Sequence, residues 1–205
     1  MSDMTVGGMS SEYFDVLKEI GNIGAGNATT ALAAMLQCKV DMGVPEVRLL
    51  KFSEIGQLLG GEEQVMAGVY LAITGDINGS IMFLVKEDVA MHLIKKMLGD
   101  LASDTMGEME KSALKEISNI ITGAYMNAMS TMTNLTILPS VPDLCIDMAG
   151  AILSVPAIEF GELGDEMLLI QSQIYDEVAI DGFFIMVPDM ESYKKILGAL
   201  GLPVE

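Results

Sequence analysis

One eight-residue pattern occurs twice in this chain, 97 residues apart. Asp15-Val-Leu-Lys-Glu19-Ile-Gly-Asn22 returns as Ser112-Ala-Leu-Lys-Glu116-Ile-Ser-Asn119, and the same offset carries Pro45 to Pro142 without an insertion. A repeat on this scale restricts the fold to two similar halves, here about 11–100 and 108–202, built into one domain spanning 1–205. Because Glu, Asn and Pro persist while their neighbours change, the repeat points to a duplicated site rather than to a duplicated core alone.

The chain is long enough, at 205 residues, to bury a well-formed core. Apolar residues make up 51% of it, which excludes a disordered chain. A formal charge of −18 argues against binding nucleic-acid phosphate, which requires a positive field. Two uncharged stretches, Ile20 to Cys38 and Ile117 to Pro142, are punctuated by Asn, Thr, Ser and Gln side chains that are expensive in hydrocarbon. They read as helices with one buried face, with no membrane insertion. The first ten residues lack the basic start and apolar run of a signal peptide, so the expected location is cytoplasmic.

Cys38 and Cys145 do not correspond in the repeat, since Cys38 maps to Leu135. They read as small apolar core residues in a reducing compartment, not as a disulfide or metal pair. His92 is the only histidine, which leaves His-based triads and metal centres without support.

Apolar residues recur at helical spacing from Ser11 to about Gln37, after a Ser10-Ser11-Glu12 start suited to capping. Lys39 to Leu50 reads as a strand broken at Gly43-Val44-Pro45. Val65 to Thr74 and Gly79 to Val85 form a hairpin across Gly75-Asp76-Ile77-Asn78, and Lys86 to Leu98 a helix stopped by Gly99. The second half repeats the order: a helix from about Glu108 to Met132, a strand near Thr136 to Leu138, and an apolar stretch from Ile146 to Phe160. A hairpin of Met167 to Tyr175 with Val178 to Val187 follows, then a closing helix around Lys194 to Gly198. The expected fold class is α+β with internal pseudo-twofold duplication and the strands joined in one continuous β-sheet.

On a helix, positions i, i+4 and i+7 share a stripe, so Asp15, Glu19 and Asn22 line one face, as do Ser112, Glu116 and Asn119. Leu17, Ile20 and Ile23 fall on another. A polar stripe on one helix is ordinarily just solvated surface; its recurrence is what singles it out. Gly24-Ala25-Gly26-Asn27 lacks the Lys of a phosphate-binding loop, and the repeat turns Gly21 into Ser118 and Gly24 into Ile121 while keeping Gly26 as Gly123. These glycines read as packing residues. Glu and Asn three apart offer an anion and a carboxamide, and a carboxamide is no general base but can hold a water for in-line attack. A metal site is a weaker alternative, because one carboxylate per stripe is poor for Mg²⁺ or Ca²⁺.

The pattern Asp/Ser-x3-Glu-x2-Asn-x22-Pro, at Asp15, Glu19, Asn22 and Pro45 and again at Ser112, Glu116, Asn119 and Pro142, resembles that of the CheC/CheX/FliY phosphatases of chemotaxis. The likeness runs from Tyr13 to Leu202. It implies two motif helices paired on one face of the sheet, and hydrolysis of the aspartyl phosphate of the response regulator CheY. By the resemblance, Asn22 and Asn119 orient the attacking water and Glu19 and Glu116 dock a regulator lysine, while Asp15, Pro45, Ser112 and Pro142 support the motif. The phosphorylated Asp and the Mg²⁺ belong to the regulator, so no cofactor or metal of the chain's own is implied. The resemblance also implies binding of the receptor deamidase CheD, expected in the second half away from the motif helices, with Asp147 as a contact; a capping role for Asp147 before Met148 to Leu153 is the alternative. A monomer is the expected state, and a non-catalytic module that sequesters phosphorylated CheY or CheD is the competing function.

Overall fold

The computed structural model describes residues 11–160, 166–175 and 179–202. The first half runs α1 (Ser11–Leu36), β1 (Asp41–Met42), β2 (Glu46–Lys51), α2 (Phe52–Leu58), β3 (Val65–Gly75), β4 (Gly79–Lys86) and α3 (Glu87–Leu98). After a single 3₁₀ turn, Gly99–Leu101, come α4 (Glu108–Thr133), β5 (Ile137–Pro139), β6 (Asp143–Met148), α5 (Ala149–Phe160), β7 (Glu166–Tyr175), β8 (Ala179–Pro188) and α6 (Met190–Ala199). Ser10, the first residue of the expected capping signal, lies outside the described residues.

All eight strands form one sheet, ordered β1-β7-β8-β4-β3-β5, with β2 also on β7 and β6 also on β3. Every pairing is antiparallel, as expected when hairpins rather than crossovers connect the central strands. The two halves of the sheet match in register. Val65 pairs with Met148 on one side and Glu166 with Lys51 on the other, and β4 meets β8 with Phe83 opposite Phe184 at the centre. Both bounds of α4 lie 97 residues beyond those of α1, as do both bounds of β6 relative to β2. Gln37 and Asn134, also 97 apart, end the two long helices with positive φ values of 52° and 56°.

Central strands are buried on both faces, and their side chains alternate between two apolar layers. Ile81, Phe83, Val85, Phe184 and Met186 meet α1, α3, α4 and α6 on one face. Met82, Leu84, Phe183, Ile185 and Val187 meet α2 and α5 on the other.

The helix α2 was not expected from sequence, and α5 only through the alternative that Asp147 caps Met148 to Leu153. α5 contains Pro156 and is apolar around much of its circumference, with Val155 49% and Ile158 83% exposed, so no polar face betrays its helical period. Cys145 corrects its sequence reading as well: it is exposed on the edge strand β6, whereas Cys38 is half-buried against the core. None of the helices among the described residues is long and apolar enough to cross a membrane.

Candidate functional site

α1 and α4 pack side by side over the sheet, each burying one apolar stripe. Leu17, Ile20, Ala28 and Leu32 do this for α1, and Leu114, Ile117, Ile121 and Tyr125 for α4. The close approach depends on Gly24. A Cβ there would lie 2.4 Å from Cδ1 and 3.0 Å from Cα of Tyr125, so any side chain would push the helices apart. Tyr125 in turn stacks on Phe184, with ring centroids 4.4 Å apart. A Cβ at Gly21 would stand 3.4 Å from Pro45 Cγ and Val47 Cγ2, so buried Pro45 lies close against this turn of α1.

With the apolar stripes turned inward, the polar stripes face outward. Asp15, Glu19 and Asn22 are exposed on α1, and Ser112, Glu116 and Asn119 are exposed on α4. Among the described residues, no hydrogen bond or ion pair engages the side chains of Glu19, Asn22, Glu116 or Asn119. Two carboxylates and two carboxamides are thereby presented to solvent with their hydrogen-bonding capacity unspent. Pro142, the counterpart of Pro45 in the repeat, is half-buried.

The stripes differ in their surroundings. In α4 the Thr122 hydroxyl donates to the carbonyl oxygens of Ser118 at 2.7 Å and Asn119 at 3.3 Å, directly beneath the asparagine, where α1 has Ala25. Such back-bonding slightly bends a helix. Ser118 stands where α1 has Gly21, and its Oγ is buried with no hydrogen-bond partner among the described residues. At the start of α4, buried Glu110 accepts from Ser103 N at 2.7 Å, and the backbone N–H of Ser103 holds its carboxyl below the usual carboxylate range. This bond fastens the connector between the halves to the helix that carries the second stripe.

Four further residues at the stripes escaped the sequence reading. Ile23, assigned to the buried face, is 36% exposed beside Asn22, and its counterpart Ile120 is half-buried beside Asn119. Gly26 and Gly123, read as packing residues, face open space. The signal was present, since Ile and Gly are identical in both copies at these positions.

Asp147 is exposed on β6 and accepts from Met148 N at 2.7 Å at the junction with α5. It lines a cleft of about 250 Å³ with Gly68, Tyr70, Met82, Cys145 and Ile152, on the sheet face opposite the motif helices. Among the described residues, no group of three or more His, Cys, Asp or Glu side chains is arranged to hold a metal ion.

The model of the CheC-like family matches residues 14–48 and 109–146, two segments that each hold one polar stripe and its proline. The CheY-P phosphatase CheC of Bacillus subtilis is 35% identical over 201 residues, covering 95% of this chain and 96% of that protein. The flagellar motor switch phosphatase FliY of the same organism is 30% identical over 131 residues, 62% of this chain and 34% of that protein. The crystal structure of FliY from Thermotoga maritima shares the fold with a TM-score of 0.74 at 20% identity, covering 94% of this chain and 98% of that one. With identity to CheC sustained along nearly the whole of both sequences, and both motif segments matched, this chain belongs to the CheC-like family.

Proposed function

We propose that the protein is a phosphatase acting on the aspartyl phosphate of the chemotaxis response regulator CheY. The observation that carries the reading is the pair of exposed Glu/Asn stripes, each without a partner among the described residues, on helices held side by side. The names of the relatives, CheY-P phosphatase among them, support it.

In this reading Glu19 and Glu116 accept from a regulator lysine and set the approach. The carboxamide of Asn22 or Asn119 then enters the regulator's phosphorylated pocket and holds one water in line with phosphorus. Water oxygen bonds to phosphorus as the bond to the aspartyl oxygen breaks; the carboxylate leaves with the electron pair, and both protons of the water leave with the phosphate as dihydrogen phosphate. Phosphoryl transfer of this kind depends chiefly on positioning and electrostatics, which is what a carboxamide can supply. The Mg²⁺ that screens phosphate charge is assigned to the regulator. The protein acts as a cytoplasmic monomer with one regulator per stripe.

The direct test is the decay of phosphorylated CheY with and without the protein. Binding without faster decay would favour a sequestering module. Charge reversal at both stripes, Glu19→Lys with Glu116→Lys, is expected to raise KM at least about tenfold, because like charges then face each other across the contact. An unchanged KM would remove the docking role from these carboxylates.

Regulation by CheD is assigned to the opposite face of the sheet. The cleft beside Asp147, lined by Tyr70, Met82, Ile152 and exposed Val155, supports this, being an apolar recess with a carboxylate at its edge. Asp147→Lys is expected to weaken CheD binding about tenfold or more while leaving basal phosphatase activity intact, measured by titration calorimetry beside the decay assay. Equal CheD affinity in the variant would move that contact elsewhere.

A further inference from the structure

Gly26 and Gly123 lie four residues beyond Asn22 and Asn119, one helical turn along the same outward stripe. A Cβ built at either position meets no atom within 4 Å. Glycine inside a helix is disfavoured relative to alanine, so both local propensity and packing would accept a side chain at these positions. The other repeat pairs behave differently. Gly24, which does touch Tyr125, is replaced by Ile121 in the second copy, and Gly21 by Ser118. Of the three α1 glycines at 21, 24 and 26, the second copy thus keeps the one whose added Cβ would meet nothing.

The reason lies in how helical side chains point. Each Cα–Cβ bond tilts toward the helix N-terminus, so a residue covers the surface over the preceding turn. A side chain at position 26 or 123 would therefore lean over Asn22 or Asn119. The Gly26 carbonyl already accepts the Thr30 hydroxyl at 2.9 Å, so the glycine contributes space, not a vacant hydrogen-bond acceptor.

We propose that Gly26 and Gly123 are specificity-determining clearance residues, which let the rim of a regulator's phosphorylated pocket reach the helix surface beside each asparagine. The inference rests on the stripes being the docking sites for phosphorylated CheY. Exposed Ile23 and half-buried Ile120 flank the same clearings and give the rim an apolar surface to meet.

The experiment compares full-length wild type with Gly26→Leu/Gly123→Leu and Gly26→Ala/Gly123→Ala, reading KM and kcat for phosphorylated CheY together with the melting temperature. The leucine pair is expected to raise KM about ten- to hundredfold, the loss that follows from forcing extra methylenes into a close-packed contact, and the alanine pair less. Melting temperatures should equal or exceed wild type. A wild-type KM in the leucine pair overturns the inference, as does a fall in melting temperature that accompanies the lost activity. Asn22→Ala/Asn119→Ala in the same assay separates the two levels. If that variant is inactive while the leucine pair behaves as wild type, only the clearance role fails; if it retains full activity, the docking reading fails with it.

Discussion

Asn22→Ala combined with Asn119→Ala is expected to return phosphorylated CheY to its own rate of decay, a loss of about 10²-fold or more from positioning of the attacking water alone. Both side chains are exposed and, among the described residues, make no bond that truncation would break. Stability should therefore move by no more than about 0.5 kcal/mol, and alanine is the better helix former. The single variants carry separate information. If the stripes work independently, each single variant retains the activity of the other stripe, and the two residual rates sum to that of wild type. Thr122 beneath Asn119 and Ala25 beneath Asn22 give the two carboxamides different supports, so the residual rates should be unequal. A double variant that still accelerates decay as wild type does would sink the catalytic assignment.

Asymmetry of this kind was only partly legible in the sequence. The long helices were, because a buried stripe at helical spacing and a matching partner 97 residues on give two independent readings of the same element. The hairpins were too, through Gly75-Asp76-Ile77-Asn78 between two apolar runs. α5 was legible only through the capping alternative at Asp147. A helix exposed to solvent on apolar residues, with a proline inside, offers no contrast between faces, and Ile146 to Phe160 reads as one apolar run although a strand and a helix share it.

Helical spacing placed the six stripe residues on the exposed faces of α1 and α4, but the edges of those faces were misjudged. Ile23 falls where a helical wheel places the rim of the buried face, and only the position of α4 decides on which side of that rim it lies. Gly24 and Gly26 look alike in sequence, and three-dimensional structure separates them: one is filled against Tyr125, the other opens to solvent. Spacing along one helix cannot report which of its faces meets a second helix 97 residues away.

Tyr125→Ala is expected to destabilise the fold by about 3–5 kcal/mol, the range for removing a large buried aromatic. Tyr125 is 1% exposed and stacks on Phe184, which pairs with Phe83 where the two halves of the sheet meet. Gly24→Ala attacks the same junction from the other side. Alanine favours the helix by about 1 kcal/mol, yet its Cβ would stand 3.0 Å from the Tyr125 backbone, and overpacking costs about 1–3 kcal/mol. Combined with Tyr125→Ala, the Gly24 change should lose most of its penalty at the ring, because the crowding atoms Cγ and Cδ1 are gone. Denaturant unfolding of the two singles and the double measures this coupling. Strict additivity would mean that Gly24 is not small on account of Tyr125. The expected non-additivity has a functional counterpart, because the same contact sets the separation of α1 and α4. Variants that spread the helices should change the two stripes together, whereas changes at Asn22 or Asn119 act on one stripe at a time.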